Sequence, residues 1–422
     1  MSTAASPGGT GEPARHLGVF DATVIGLGAM LGAGVFAALA PAAGAAEEGL
    51  LLGLALAAVV AYCNATSSAR LAARYPRSGG TYVYGRERLG AFWGYLAGWG
   101  FVVGKTASCA AMALTVGSYA WPARTHEVAV ASVVALTAVS WAGVQKAAWL
   151  TRGIVAVVLA VLAAVVTACL TGAAADGAAP QAFGAGAAPG GVLEAAGLLF
   201  FAFAGYARIA TLGEEVRDPR RTIPRAIPVA LGITLVVYAA VAVAVLSVLG
   251  PARLAESGAP LADAVRAAGV PGLAPVVRAG AAVAALGSLL ALILGVSRTA
   301  LAMGRDRHLP HALSAVHPRT GVPHRAELLV GAVVAVLAAT ADLRGAIGFS
   351  SFGVLAYYAV ANASALTLSR AEGRPPGIVP AAGLAGCLLV AFALPLTSVV
   401  TGSAVLALGA AVYGLRKAVR RG

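Results

Sequence analysis

Charge is scarce in this chain of 422 residues. Asp, Glu, Lys and Arg together make up 11% of it, against about 25% in an ordinary soluble domain. That supply cannot cover the surface of a water-soluble fold of this size. Cysteine is equally sparse. Cys63, Cys109, Cys169 and Cys387 lie far apart, each within an apolar run, which excludes a disulfide framework or metal spacing and leaves helix packing as their role. Long polar segments are also missing. The extramembrane pieces around 213–225, 250–272 and 303–325 are too short to bury a core, so an ATP-binding cassette or kinase domain is not expected. Residues 1–18 lack a charged-then-apolar leader with a cleavage site and read as a disordered tail. The first span is therefore expected to stay in the mature protein. The apolar segments hold no nucleophile–base pair and no metal-ligand cluster, so neither an enzyme nor a cofactor nor a metal is expected.

What is present is apolar mass: 59% hydrophobic residues and a mean hydropathy of +0.84. It comes in long runs instead of a helical stripe, as in helices immersed in lipid. The expected class is an all-α polytopic membrane protein with membrane lipids around it. Twelve spans are expected, at about 19–45, 49–72, 91–120, 127–144, 150–171, 191–213, 226–249, 273–302, 326–341, 345–368, 378–395 and 397–415. The transporter domain would fill 19–415, followed by a basic tail at 416–422. The net charge of +13 needs no nucleic acid, because cytoplasmic loops concentrate Lys and Arg. With both termini cytoplasmic, 22 of the 30 Lys and Arg fall in inner segments and five in outer ones. Lys105, Arg208 and Arg298 remain inside spans.

The stretch GLGAMLGAGVF, residues 26–36, places Gly26, Gly28, Gly32 and Gly34 in one apolar run. Each glycine costs a helix interior about 1 kcal/mol relative to alanine, so the cluster needs a reason. One reading is a GxxxG packing face through Gly28 and Gly32. The other is a helix broken at mid-membrane, where irregular backbone is tolerated only if it lines a protein-enclosed cavity. A break would offer carbonyls to an ammonium and N–H groups to a carboxylate. Four glycines exceed what GxxxG requires, which favours the break.

Gly28–Phe36 fits the pattern G-A-x-x-G-A-G-x-F, and Pro76–Tyr84 fits P-x-S-G-G-x-Y-x-Y. Phe203–Tyr206 fits F-x-G-(F/Y), and Glu214–Pro224 fits E-E-V-x-(D/N)-P-x-R-x-I-P. With these motifs in order, the chain resembles an amino acid permease of the amino acid–polyamine–organocation superfamily, over nearly its whole length. The resemblance implies a LeuT-type fold: two inverted five-helix repeats, about 19–171 and 191–368, with helices 1 and 6 broken, plus two extra C-terminal helices at about 378–415. It also implies a site. The N–H groups of Ala33 and Gly34 would hold a substrate carboxylate. Carbonyls near Met30 and around Phe201–Ala204 would take the ammonium. Phe201, Gly205 and Tyr206 would line the side-chain pocket, and Gly28, Gly32 and Gly205 would let backbone approach the ligand.

Two charged residues inside spans stand out. Lys105 lies mid-span in AGWGFVVGKTASCAAMAL, too deep to snorkel, which makes it a functional hypothesis by default. Superfamily members place such a lysine on helix 5, where it stands in for a sodium ion; here the fifth span has none. Lys105 is thus either a proton-coupling group or a structural or substrate-selecting one. GFVVGKT is one residue short of a phosphate-binding loop and lies within an apolar helix, which rejects nucleotide binding. Arg208 follows the helix 6 motif where many relatives carry an acid close by. It either selects a substrate with an extra acceptor or pairs with Glu214 or Glu215. His308, His311, His317 and His324 read as part of a solvated basic loop. The expected function is secondary transport of an amino acid across a bacterial cytoplasmic membrane by alternating access, with proton symport. The alternatives are an amino acid or amine exchanger and a non-transporting sensor.

Overall fold

The computed structural model describes residues 17–76, 79–142, 148–175, 187–212, 215–317 and 320–419. Arg15, Arg77, Ser78, Lys146, Glu214, Arg319, Arg420 and Arg421 lie outside them, with most of the 1–18 tail. The first half comprises α1 (Val19–Met30), α2 (Ala33–Ala37), α3 (Leu39–Ala46), α4 (Leu50–Arg74), α5 (Thr81–Leu89), α6 (Ala91–Ala120), α7 (Thr125–Trp141) and α8 (Ala148–Ala175). The second comprises α9 (Pro189–Phe203), α10 (Ala207–Ala210), α11 (Pro219–Glu256), α12 (Pro260–Ala267), α13 (Ala274–Arg305), α14 (His324–Thr340) and α15 (Leu343–Leu366). Two more helices follow, α16 (Ile378–Phe392) and α17 (Leu396–Val419). No strand is named among the described residues; the one backbone bridge joins Leu17 to Val216.

Nine stretches of the described residues are long and apolar enough to cross a bilayer, where twelve were expected. The difference lies in α7 and α14, of 17 residues each, and α16, of 15. At about 1.5 Å per residue these reach about 22–26 Å, short of a hydrocarbon core about 30 Å thick. Local chemistry sets several boundaries. Pro189, Pro219 and Pro260 open their helices, where the missing N–H costs no bond. Gly250, with φ of 67°, kinks α11 just before Pro251.

The bundle is organised around α6 and α15, which pack on each other and are largely buried. On α6 also rest α13, α5, α7, α14 and α17. Between α4, α15 and α16 runs a buried polar seam. Asn362 Nδ2 donates to Asn64 Oδ1 at 2.6 Å, and Ser67 Oγ donates to Asn362 Oδ1 at 2.7 Å. Such bonds between membrane helices average about 0.6 kcal/mol each. The four cysteines are free and buried. His308 is anchored: its Nδ1 lies 2.8 Å from Tyr82 Oη, and Arg416 donates to its carbonyl at 2.6 Å.

Candidate functional site

The first span runs straight for twelve residues, about 18 Å, and then leaves helical geometry. Leu31 has φ −77° and ψ 23°, and Gly32 has φ −80° and ψ −134°. Helix resumes at Ala33 and continues through Ala38 into α3. Gly32 caps α2 without a side chain, and the opening N–H groups of a helix have no intrahelical partner. The sixth span behaves differently. After Phe203 it tightens into a 3-10 turn over Ala204–Tyr206 and returns to α-helix for Ala207–Ala210. It narrows without unwinding, because one glycine sits here against the four of the first segment.

The two segments cross backbone against backbone. A Cβ on Gly205 would lie 2.5 Å from the carbonyl carbon of Ala29 and 2.7 Å from Met30 N. A Cβ on Gly34 would lie 2.6 Å from Ala202 Cα. Gly32 instead faces a side chain, Ser288 of α13, and Gly28 faces Thr151 and Val155 of α8. Tyr238, on α11, bolts the crossing: its hydroxyl reaches the carbonyl of Met30 and lies 3.0 Å from that of Ala202. Ser288 Oγ donates to the Gly28 carbonyl at 3.1 Å. Carbonyls expected to meet an ammonium are therefore engaged by a tyrosine.

Beside the crossing lies a slot of about 90 Å³. Along α13 it extends from Ser288 to Ala302, about 21 Å. Of the expected residues, Phe201, Ala204, Gly205, Lys105 and Arg208 line it. Gly28, Met30, Gly32, Ala33, Gly34 and Tyr206 do not; the Tyr206 ring packs on Tyr358 with centroids 5.1 Å apart. Lys105 is 5% exposed, and its Nζ donates to the Ala204 carbonyl at 3.4 Å. Arg208 Nη2 and Arg298 Nη1 approach Glu215 Oε1 at 3.9 and 3.8 Å.

On the other side of the crossing is a second space, of about 230 Å³, bounded by Phe36, Tyr119, Pro260 and Arg344 among others. Among the described residues it shares no lining residue with the slot. Its lining residues Phe36 and Tyr119 pair edge to face, 5.7 Å between centroids, and at the crossing Phe203 packs on Tyr238 at 5.1 Å. Tyr119 Oη donates to the Phe36 carbonyl at 3.0 Å. A larger groove of about 570 Å³ between α6, α14 and α15 is walled by alkyl and aromatic groups apart from Thr106 and Thr401; its chemistry suits lipid chains.

Tyr238 and Ser288 were not singled out from the sequence, and Arg298 was counted without a role. Their signals are present: a tyrosine and a serine alone in apolar runs, each needing a partner for its hydroxyl once buried, and a charge inside a span.

An all-helical membrane bundle with an interrupted helix at a polar slot has the features of a secondary transporter. The chain belongs to the amino acid permease family, whose model matches residues 17–412. This is a family of membrane transporters and not of enzymes. An uncharacterized transporter of Mycobacterium bovis is 74% identical over 97% of this chain and 93% of its own length. Cationic amino acid transporter 4 of Homo sapiens is 29% identical over 86% of this chain and 61% of its own. The branched-chain amino acid permease of Bacillus subtilis is 24% identical over 95% and 92%.

Proposed function

We propose that this protein moves an amino acid across a bacterial cytoplasmic membrane by alternating access, driven by proton symport. The carrying observation is the pair of spaces on opposite sides of one backbone crossing, with no lining residue in common among the described residues. One polar path leads towards the Arg305 end of α13 and the other towards the Pro260 end of α12. A solute passes only when the crossing rearranges.

Counting α7, α14 and α16 as short spans restores twelve. The packing supports the two inverted repeats: α4 lies on α11, α6 on α13 and α7 on α14. Short α5 follows α4 as short α12 follows α11. A two-fold relation in the membrane plane pairs helices in this way. The Lys and Arg distribution supports cytoplasmic termini, which makes the slot the inward path. In this reading the structure is a closed state. Loading opens the Gly34–Ala202 contact, so that the Ala33 and Gly34 N–H groups receive the substrate carboxylate. Its ammonium replaces the Tyr238 hydroxyl at the Met30 carbonyl. Phe201, Ala204 and Gly205 face the side chain. Lys105 is the coupling group, with Cys109 one turn away and Arg208, Arg298 and Glu215 along the slot. Two distant relatives named for amino acids of different charge support the substrate class and leave the side chain open.

The test is uptake of labelled amino acids into proteoliposomes. Accumulation driven by an inward proton gradient into vesicles without internal substrate is the expected result. Flux only against preloaded amino acid would make the protein an exchanger, and binding without flux would make it a sensor.

A further inference from the structure

We infer that the substrate carries a second negative charge, as an amino acid whose side chain ends in a carboxylate. The inference rests on the transporter reading above and adds the substrate class.

Three cationic side chains, Lys105, Arg208 and Arg298, border the slot. Among the described residues one carboxylate, Glu215, lies near two of them, at 3.9 and 3.8 Å, both at the long limit of an ion pair. It is also partly exposed, so it neutralises the guanidiniums weakly. Lys105 has no carboxylate within 4.0 Å among the described residues. Of the three donors of an ammonium, one reaches the Ala204 carbonyl at 3.4 Å. A buried charge requires a partner of opposite sign and saturated hydrogen bonds. An anion entering the slot supplies both.

The placement fits the reach of a short acidic side chain. Ala204 adjoins Gly205 at the crossing, and Lys105 bonds its carbonyl. Arg208 stands one turn further on, about 6 Å along the helix axis, with Nη1 3.3 Å from Thr211 Oγ1. Its planar fork matches a carboxylate. Main-chain groups of the substrate at the crossing therefore place a side-chain carboxylate between Lys105 and Arg208. A cationic side chain would meet three like charges there. A neutral one would leave Lys105 uncompensated.

Thermal unfolding of the purified full chain in lipid nanodiscs tests this, with L-aspartate, L-glutamate, L-asparagine, L-glutamine, L-leucine and L-arginine as separate probes. The acids should raise the midpoint more than their amides, which match them in shape and lack the charge. Arg208→Lys, which keeps charge but loses the fork, and Lys105→Met should each weaken acid binding at least tenfold and shrink the preference for the acids over their amides. Stabilisation by leucine, arginine or the amides with the acids inert would overturn the inference and leave the transporter reading standing. Silence from all six, extended to the rest of the twenty amino acids, would overturn both.

Discussion

The first interrupted segment holds four glycines between Gly26 and Gly34 and unwinds at Leu31 and Gly32; the second holds Gly205 alone and only tightens by a 3-10 turn. Yet Gly205 makes the closest approach to backbone at the crossing. The four glycines of the first segment serve four different neighbours: Ile209 for Gly26, α8 for Gly28, Ser288 for Gly32 and Ala202 for Gly34. What an absent Cβ permits depends on whether the neighbour is backbone, which cannot yield, or a side chain, which can.

The largest effect is expected where backbone meets backbone. Gly205→Ala drives a methyl into Ala29 and Met30, and overpacking of this kind costs about 1–3 kcal/mol. Uptake in proteoliposomes should fall about tenfold or more, since about 1.4 kcal/mol is a factor of ten, with normal protein levels in the membrane. Wild-type uptake would break the comparison at its stronger end.

Gly32→Ala should also impair uptake, but here the obstacle is Ser288. Adding Ser288→Gly removes the obstructing Cβ and hydroxyl and should restore much of the loss, with a coupling energy of about 0.5–3 kcal/mol in a double-mutant cycle. No second-site change on α13 should rescue Gly205→Ala. Equal behaviour of the two glycines would show that the distinction between backbone and side-chain neighbours carries no weight.

The class of protein was legible in the sequence because lipid imposes long apolar runs, and the family because four ordered motifs mark it, two of which, Gly28–Phe36 and Phe203–Tyr206, sit on the crossing itself. The glycine cluster marked the break, and Lys105 and Arg208 marked the slot. Tyr238 was not legible, since its importance lies in two carbonyls far away in sequence. Nor was the turn of Tyr206 towards Tyr358, which three-dimensional packing decides. The 3-10 turn at Ala204–Tyr206 escaped for the same reason: a single glycine in an apolar helix permits a break but does not require one.

Tyr238→Phe probes the bolt that both segments share. It removes a hydroxyl from two carbonyls while keeping the ring against Phe203. One net hydrogen bond is worth about 0.5–1.5 kcal/mol, so the unfolding midpoint should drop by a few degrees. An unchanged midpoint would mean that the glycine contacts alone hold the crossing closed.

The smallest effect is expected for a contact that belongs to neither segment. Glu372, in the loop between α15 and α16, receives hydrogen bonds from Arg88 and, at 3.1 Å, from Arg74. The Arg88 bond, ahead of bonds from Ser369 and Arg74, holds its carboxyl down to about 2 from an ordinary 4.5. The folded state therefore binds this proton more weakly than the unfolded one. The stability that follows is present above about pH 4.5 and is lost as pH falls from there through about 2. Glu372→Gln should lower the unfolding midpoint slightly at pH 7, and the gap to wild type should close on acidification across that window. Salt should narrow it too, because the pair lies at the rim and the Debye length at 0.15 M is about 8 Å. A gap that held constant from pH 7 to pH 3 would mean that the glutamate acts through packing, not charge, and that loop contacts belong with the crossing as sources of stability.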